Sequence, residues 1–549
     1  MILKSWLRPP SSNSVAFFKQ FLKQGWLYKS KVLTITSTRP KNLRPFLHKY
    51  LKTKPRHISI SNSIEFQNPA DIQCLSHMAT FSTSLSSILF NADGNSSVAH
   101  LASDFLPKLK KMTCLTLDLS RSCLSKESYT DLLTKVTKLK LLRRFQLVLQ
   151  GCQNIDLGVL EQIRGTLSKL KQLQDLRLDL RHLTDLPLEP LESFFACFGK
   201  LKALRTLSLD LSRCFIDFNL AQVLLKTLSH LQNLNSVNLK IQLMGPPRSQ
   251  DQETPSFLLN WPNIRDFDLT IKCSDDGFEL FNHFDQLCIL TSLKLDLSNS
   301  NVKDEDLAQL ASKLKTFYHL ESFKINLTSC SNITERSLSC LFDSFSSLRN
   351  LQYLTLNICQ FYQSNVFTHR SMMALGKSLP CLSSLRGLSL SLGRTSVQDN
   401  TYAILSECIP RISNLEKLYL NFQNAMNCSE ESFSKLSLGF PKLKNLTDLK
   451  LSFQCCMLSD EVLLTLAECL DCAKALRAVG IEFAYYGQFS ISGVAKFRQK
   501  IYGLKHLKHV VINENPRTPV KTNQNLDLCL FILFFSLCFM AIKYYFRES

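Results

Sequence analysis

At 549 residues, with 45% apolar and 20% charged side chains and only 16 Gly and 18 Pro, the chain has the composition of a folded protein with a large core. That excludes a disordered, collagen-like or low-complexity polypeptide. The net charge of +20 is unevenly placed: residues 1–64 hold thirteen Lys and Arg, the first acidic residue is Glu65, and the remainder carries about +7.

Residues 1–56 read as a basic N-terminal segment, partly disordered or amphipathic. In "SVAFFKQFLKQGWLYKSK", Phe17, Phe18, Phe21 and Leu22 share one helical face, with Lys19 and Lys23 beside it. Contact with an anionic membrane, organelle targeting and a solubilising tail all fit that pattern. "MILKSWLRPPSS" has no apolar run long enough for a signal peptide. Most of the twenty cysteines, such as Cys114, Cys214 and Cys381, sit where small apolar residues would serve and are read as reduced core thiols of a cytosolic protein. Residues 57–114 read as degenerate repeats around "HISIS" and "LSSILF", acting as an N-terminal cap.

From residue 115 to 514 one pattern recurs. Strings of the form L-x-L-x-L start at Leu115, Phe145, Leu176, Leu207, Val237, Phe267 and Leu293, and again at Phe323, Leu354, Leu388, Leu418, Leu449, Val479 and Val510. Eleven of the thirteen spacings are 30 or 31 residues, which marks a repeat protein. Within a unit, Leu207, Leu209 and Leu211 alternate with polar residues as in a half-buried strand. Leu220, Val223, Leu224, Leu228 and Leu231 then follow at helical steps. One strand and one helix cannot bury both apolar faces alone. Stacked copies can, with strands side by side in a parallel sheet and helices on its back.

Phrases such as Leu204-x-x-Leu207-x-Leu209 and Leu446-x-x-Leu449-x-Leu451, each followed by an amphipathic helix, resemble the leucine-rich repeat proteins of the long-repeat, ribonuclease-inhibitor-like class. The resemblance covers roughly residues 86 to 514. It implies an α/β solenoid of about 14 to 16 repeats with a parallel inner sheet and outer helices. The chain departs from that pattern in two ways. An extra apolar residue (Leu119, Leu180, Leu211) lengthens the strand, and the usual Asn or Cys after it is not kept in register, so no asparagine ladder is expected. The array also breaks at "QLMGPPRSQDQETPSF", where Pro246, Pro247 and Pro255 exclude a helix and predict a protruding loop.

Two surfaces follow from the equal phase of the repeats. On the concave face a central column includes Asp118, Asp179, Asp210, Asp296, Asn326, Asn357 and Asn421, suited to a basic segment of a protein partner. Seven and five residues before successive strands stand Lys108 and Lys110, Lys138 and Lys140, Lys169 and Lys171, and Lys200 and Lys202. This row is a basic edge for an anionic surface, or equally a set of charges complementing helix C-termini. Nucleic acid ranks last as its partner, because no aromatic residues interleave.

A polar linker, residues 515–525, precedes the last apolar stretch. Leu528 to Ile542 are uncharged, and the 21 residues from Leu526 to Phe546 would span about 31 Å as a helix. Residues 526–546 are therefore expected to form a transmembrane helix and 547–549 a short tail. The layout resembles a tail-anchored, cytosol-facing protein of the endoplasmic reticulum or the mitochondrial outer membrane.

No glycine-rich phosphate loop, nucleophile elbow or metal-ligand spacing occurs, and Cys469-x-x-Cys472 reads as core packing inside a helix. No enzyme activity, cofactor or metal is expected. The leading reading is a membrane-tethered interaction scaffold or adaptor. Two alternatives stay open: a regulator of a small GTPase or ubiquitin-ligase substrate receptor, as the resemblance implies, and a cell-surface receptor with an extracellular repeat domain.

Overall fold

A computed structural model describes Val32–Ile35, His57–Ile60 and residues 86–515, apart from short internal stretches of which 183–187, 244–260, 274–280, 362–367, 425–428 and 485–488 are the longest. The chain divides into two compact units, residues 1–385 and 386–549. The stretch around Pro246, Pro247 and Pro255 expected to form a loop, the expected membrane segment 526–546 and most of the basic head lie outside the described residues. Among the described residues no helix is long and apolar enough to cross a membrane.

Unit 1 is a run of parallel strands, each paired with the next in sequence: β1 (Val32–Ile35), β2 (His57–Ile60), β3 (Ser87–Asn91), β4 (Cys114–Asp118), β5 (Arg144–Val148), β6 (Asp175–Asp179), β7 (Thr206–Ile216), β8 (Ser236–Leu243), β9 (Asp266–Cys273), β10 (Ser292–Asp296), β11 (Ser322–Asn326) and β12 (Tyr353–Asn357). Unit 2 repeats the arrangement with β13 (Gly387–Ser391), β14 (Lys417–Asn421), β15 (Asp448–Ser452), β16 (Ala478–Ala484) and β17 (His509–Asn515). The architecture is an α/β solenoid of leucine-rich strand–helix repeats. The strand at Val32–Ile35 is not legible in the sequence reading of the basic head. It is four residues long and carries no full alternation.

The unit beginning at Leu207 explains why the repeat folds. Leu207, Leu209 and Leu211 are buried, and so are Leu220, Leu224 and Leu228 on the following helix, Phe218–Ser229. Val223 is only half-buried, and Leu225 is buried instead. Each fully buried leucine contributes about 1.5–3 kcal/mol. The N-cap Asp217 accepts from the Leu220 amide at 2.8 Å, so the helix starts where the strand's apolar alternation ends. The return path closes in two tight turns, Leu201 N–H to Phe198 C=O and Leu204 N–H to Leu201 C=O, both 2.9 Å. Each turn drops a leucine into the core, which is the physical content of the Leu-x-x-Leu-x-Leu phrase.

Candidate functional site

Strand register places the expected column in one row per unit. In unit 1, Asp118 pairs with Val148, then Asp179, Asp210, Lys240, Thr270, Asp296, Asn326 and Asn357 in succession. In unit 2, Ser391 leads to Asn421, Ser452 and Glu482. Sequence reasoning missed the two ends of these rows: Asn91 precedes Asp118, and Asn513 follows Glu482.

These side chains also have local work. Five of them close their own strand ends by accepting from the amide two residues on: Asp118 from Ser120 (3.1 Å), Asp210 from Ser212 (3.1 Å), Asp296 from Ser298 (3.1 Å), Asn326 from Thr328 (3.2 Å) and Asn421 from Gln423 (3.0 Å). Asp and Asn are the residues whose short side chains make this turn. The negative charge is partly cancelled within the row. Arg181 grips Asp179 through Nε and Nη2 and reaches Asp210 at 3.6 Å, while Lys240 lies 3.1 Å from Asp210. Asp118 and Asp296 make no ion pair among the described residues. Asn326 donates its amide to Asp296 at 3.0 Å.

Three residues past ten of the row positions, though not past Lys240 or Thr270, the backbone turns left-handed, at Gly94, Arg121, Gly151, His182, Arg213, Asn299, Ser329, Gln360, Arg394 and Asn424, with φ between 54° and 70°. One residue further on, several repeats place a small polar residue that forms a partial ladder, while Phe361 takes the same position after β12. The thiols of Cys152, Cys214, Cys330 and Cys456 donate to the carbonyls of Leu119, Leu180, Leu297 and Phe422 in the preceding repeat, at 2.8 to 3.2 Å. Ser300 donates to Ile271 in the same way at 3.0 Å. Asparagines do bridge repeats, but at the opposite edge: Asn233, Asn263, Asn350 and Asn445 donate to Lys202, Gln232, Tyr318 and Ser413 carbonyls. All four stand four residues before a strand's first core position, in a phase the sequence reading did not inspect.

The two edges carry opposite charge. Where helices begin, Asp304, Asp399 and Asp460 accept from the capping Thr334, Ser429 and Ser490 of the next repeat, and Lys126 pairs with Asp156 at 2.6 Å. The Ser429 amide holds Asp399 below the usual carboxylate value. Burial pushes Asp304 upward, but hydrogen bonds from Ser337 and Thr334 outweigh it and leave it lowered.

Where strands begin, unit 1 exposes Lys108, Lys138, Lys169 and Lys200 in one phase and Lys140, Lys171 and Lys202 in another. Lys110 lies outside the described residues. Backbone bonds from Arg143 N–H to Thr113 C=O, Gln174 N–H to Arg143 C=O and Arg205 N–H to Gln174 C=O, each 2.8 Å, add a third phase to the edge, with Arg143, Arg205 and Arg265 exposed on it. The sequence reading missed these arginines because they stand at strand starts, away from the helix ends it followed. In unit 2, Lys442, Lys444, Lys474, Arg477, Lys505 and Lys508 occupy the same phases.

Among the described residues no group of three or more His, Cys, Asp or Glu is placed to hold a metal ion. Cys469 is buried in the helix Asp460–Cys472, while Cys472 is exposed.

The fold defines a repeat protein with an open sheet face. No family model matches the sequence, and no curated protein matches it. Solved structures of similar fold include an LRR protein of Leptospira interrogans, 15% identical over 85% of this chain and 98% of that one, TM-score 0.40. Another is the yeast Rad7–Elc1 complex, with 16% identity, 88% and 96% coverage, and TM-score 0.41. A third is the TLR13–ssRNA13 complex, with 15% identity, 89% and 74% coverage, and TM-score 0.41.

Proposed function

We propose that the chain is a non-catalytic interaction scaffold, held at a membrane by residues 526–546 and recognising a protein partner on its open sheet face. It faces the cytosol at the endoplasmic reticulum or the mitochondrial outer membrane. The observation that carries the reading is the register of the sheet. Helices cover one side, and the other offers half-exposed carboxylates and amides, several fixed by their own turns, while Asp210, Ser391 and Ser452 in the same rows are buried. A rigid polar face gives affinity through many shallow contacts, and tethering raises the effective concentration of partners at the same membrane. Asp118, Asp296, Asn326, Asn357 and Asn421 are the contact residues left most open by this geometry, with Asp179 and Asp210 tempered by Arg181 and Lys240. The basic edge takes an anionic partner.

The test combines location and contact. A fluorescent fusion of the full chain should mark one organelle, and a version ending at Asn525 should become diffuse. A photo-crosslinking amino acid in place of Asp296 or Lys324 should capture one partner in cells, while the same group at Ser312, on a helix surface, should not. Equal capture from both sides, or from neither, removes the sheet face as the binding surface.

A further inference from the structure

We propose that the edge of unit 1 where the strands begin docks on an anionic lipid bilayer, with Leu141 and Tyr318 entering the headgroup layer. This deepens the anionic-partner reading above and does not depend on the membrane tether. Three observations support it.

The charge on this edge exceeds what helix ends require. Lysines just past a helix C-terminus complement its dipole. Lys138, Lys169 and Lys200 fit that account, standing at or just beyond helical ends. Arg143 and Arg205 do not. They stand two residues before a strand's first core position, and their backbones sit in the sheet ladder.

Five of these lysines, Lys138, Lys140, Lys169, Lys171 and Lys200, stand outside any ion pair among the described residues, although acids are plentiful on the opposite edge. Repeats stand about 5 Å apart at the sheet and about 8–10 Å apart at the helices. Charges on adjacent repeats therefore lie near or within the screening length of about 8 Å at physiological salt, and an anionic surface relieves their repulsion.

Finally, two large apolar side chains project along this edge, Leu141 between Lys140 and Arg143, and Tyr318 four repeats beyond Lys202. Leu141 is 44% exposed, in the phase held by bridging asparagines elsewhere. Tyr318 is 65% exposed, in the phase of Lys140, Lys171 and Lys202, and its carbonyl is held by Asn350 at 2.7 Å. Dipole complementation has no use for either. An apolar and an amphipathic side chain amid lysines suit the bilayer interface, where apolar burial and attraction to anionic lipid add. Single-stranded nucleic acid would need a longer succession of aromatic platforms, and among the described residues of unit 1 the exposed aromatic side chains are Tyr318 and Tyr353.

The experiment is lysine acetylation read by peptide mass spectrometry on the full chain with vesicles of phosphatidylcholine alone or with 30% phosphatidylserine. Lys140, Lys171 and Lys202 should label at least about 5-fold more slowly on the anionic vesicles, as expected from the attraction per surface cation. The protection should vanish in 0.5 M NaCl. Lys126 and Lys324, on the opposite edge and the sheet face, should not change. Leu141→Asn with Tyr318→Asn keeps the charge and should lose most of the protection. Lys138→Glu with Lys169→Glu should lose nearly all of it.

Flotation of the chain with both vesicle types, without protection, overturns the docking edge and leaves the tether standing. Protection on anionic vesicles with no flotation on neutral ones supports the edge and removes the tether. Protection by a 20-nucleotide RNA but not by vesicles overturns the proposal in favour of nucleic acid.

Discussion

The Cys330 thiol donates to the Leu297 carbonyl of the repeat before it, 3.1 Å away, and both residues are fully buried. That contact belongs to a ladder that satisfies a backbone acceptor no strand can reach. Cys330→Ala should therefore cost about 1–3 kcal/mol, the penalty of an unmade buried hydrogen bond plus a small cavity. Cys330→Ser should recover part of it, since Ser300 fills the same position one repeat earlier. Urea denaturation of the full chain checks the order native, Ser, Ala. Equal stability of all three would show that the ladder contributes nothing.

Gly151 and Gly165 should respond to alanine in opposite directions. Gly151 has φ +62°, in the left-handed region, and a Cβ there meets only Arg121 Cγ at 3.7 Å. Gly151→Ala should destabilise by about 1–2 kcal/mol through backbone strain alone. Gly165 lies inside the helix Leu157–Lys169 with nothing within 4 Å of an added Cβ. Gly165→Ala should stabilise by about 0.5–1 kcal/mol. Thermal unfolding of the two variants beside the native chain decides it.

At Gly493 space rather than backbone geometry forbids a side chain. An added Cβ would lie 2.0 Å from Asp460 Cγ, and that carboxylate accepts the Ser490 amide at 2.8 Å. Gly493→Ala must displace Asp460 and break the cap, costing about 1–3 kcal/mol. Adding Asp460→Ala should then cost little more, because the two changes remove the same contact. Fully additive losses in the double variant would contradict this.

Asp399 makes the fold acid-sensitive. The Ser429 amide, 2.7 Å away, holds its carboxyl below the unfolded value of 3.8. A depressed folded pKa gives stability that is present above pH 3.8 and is lost as pH falls through the lower folded value. The native chain should therefore exceed Asp399→Asn in Tm at pH 6, and the gap should narrow by pH 3. A gap independent of pH would mean that the charge plays no part.

Thiol reactivity should sort by burial. Burial raises Cys197 and Cys408 to about 12 and Cys330 to about 11, so the reactive thiolate is suppressed. Iodoacetamide at pH 8 should modify the exposed Cys288, Cys340, Cys381 and Cys472 and spare the buried three until urea is added. Peptide mass spectrometry reads the order directly.

The repeat was legible because burial imposes its period on the chain. Leu207, Leu209 and Leu211 alternate since a strand shows alternate faces, and Leu220, Leu224 and Leu228 recur since a helix turns every 3.6 residues. Equal spacing then forecast the rows holding Asp118, Asp179 and Asp210, and Lys138, Lys169 and Lys200. Partners across repeats were not legible. The link between Cys330 and Leu297 spans 33 residues, and a thiol that bonds a carbonyl looks in sequence like any other small core residue.

Periodicity of apolar residues thus decided strand, helix and stacking, because removing apolar area from water rewards every in-phase leucine alike. Polar contacts depend on distance and direction between atoms of different repeats, and only the assembled fold supplies those. It made Asp210 a turn-closing carboxylate shared by Arg181 and Lys240, placed the asparagine bridges where strands begin, and brought Arg143 and Arg205 into the basic edge.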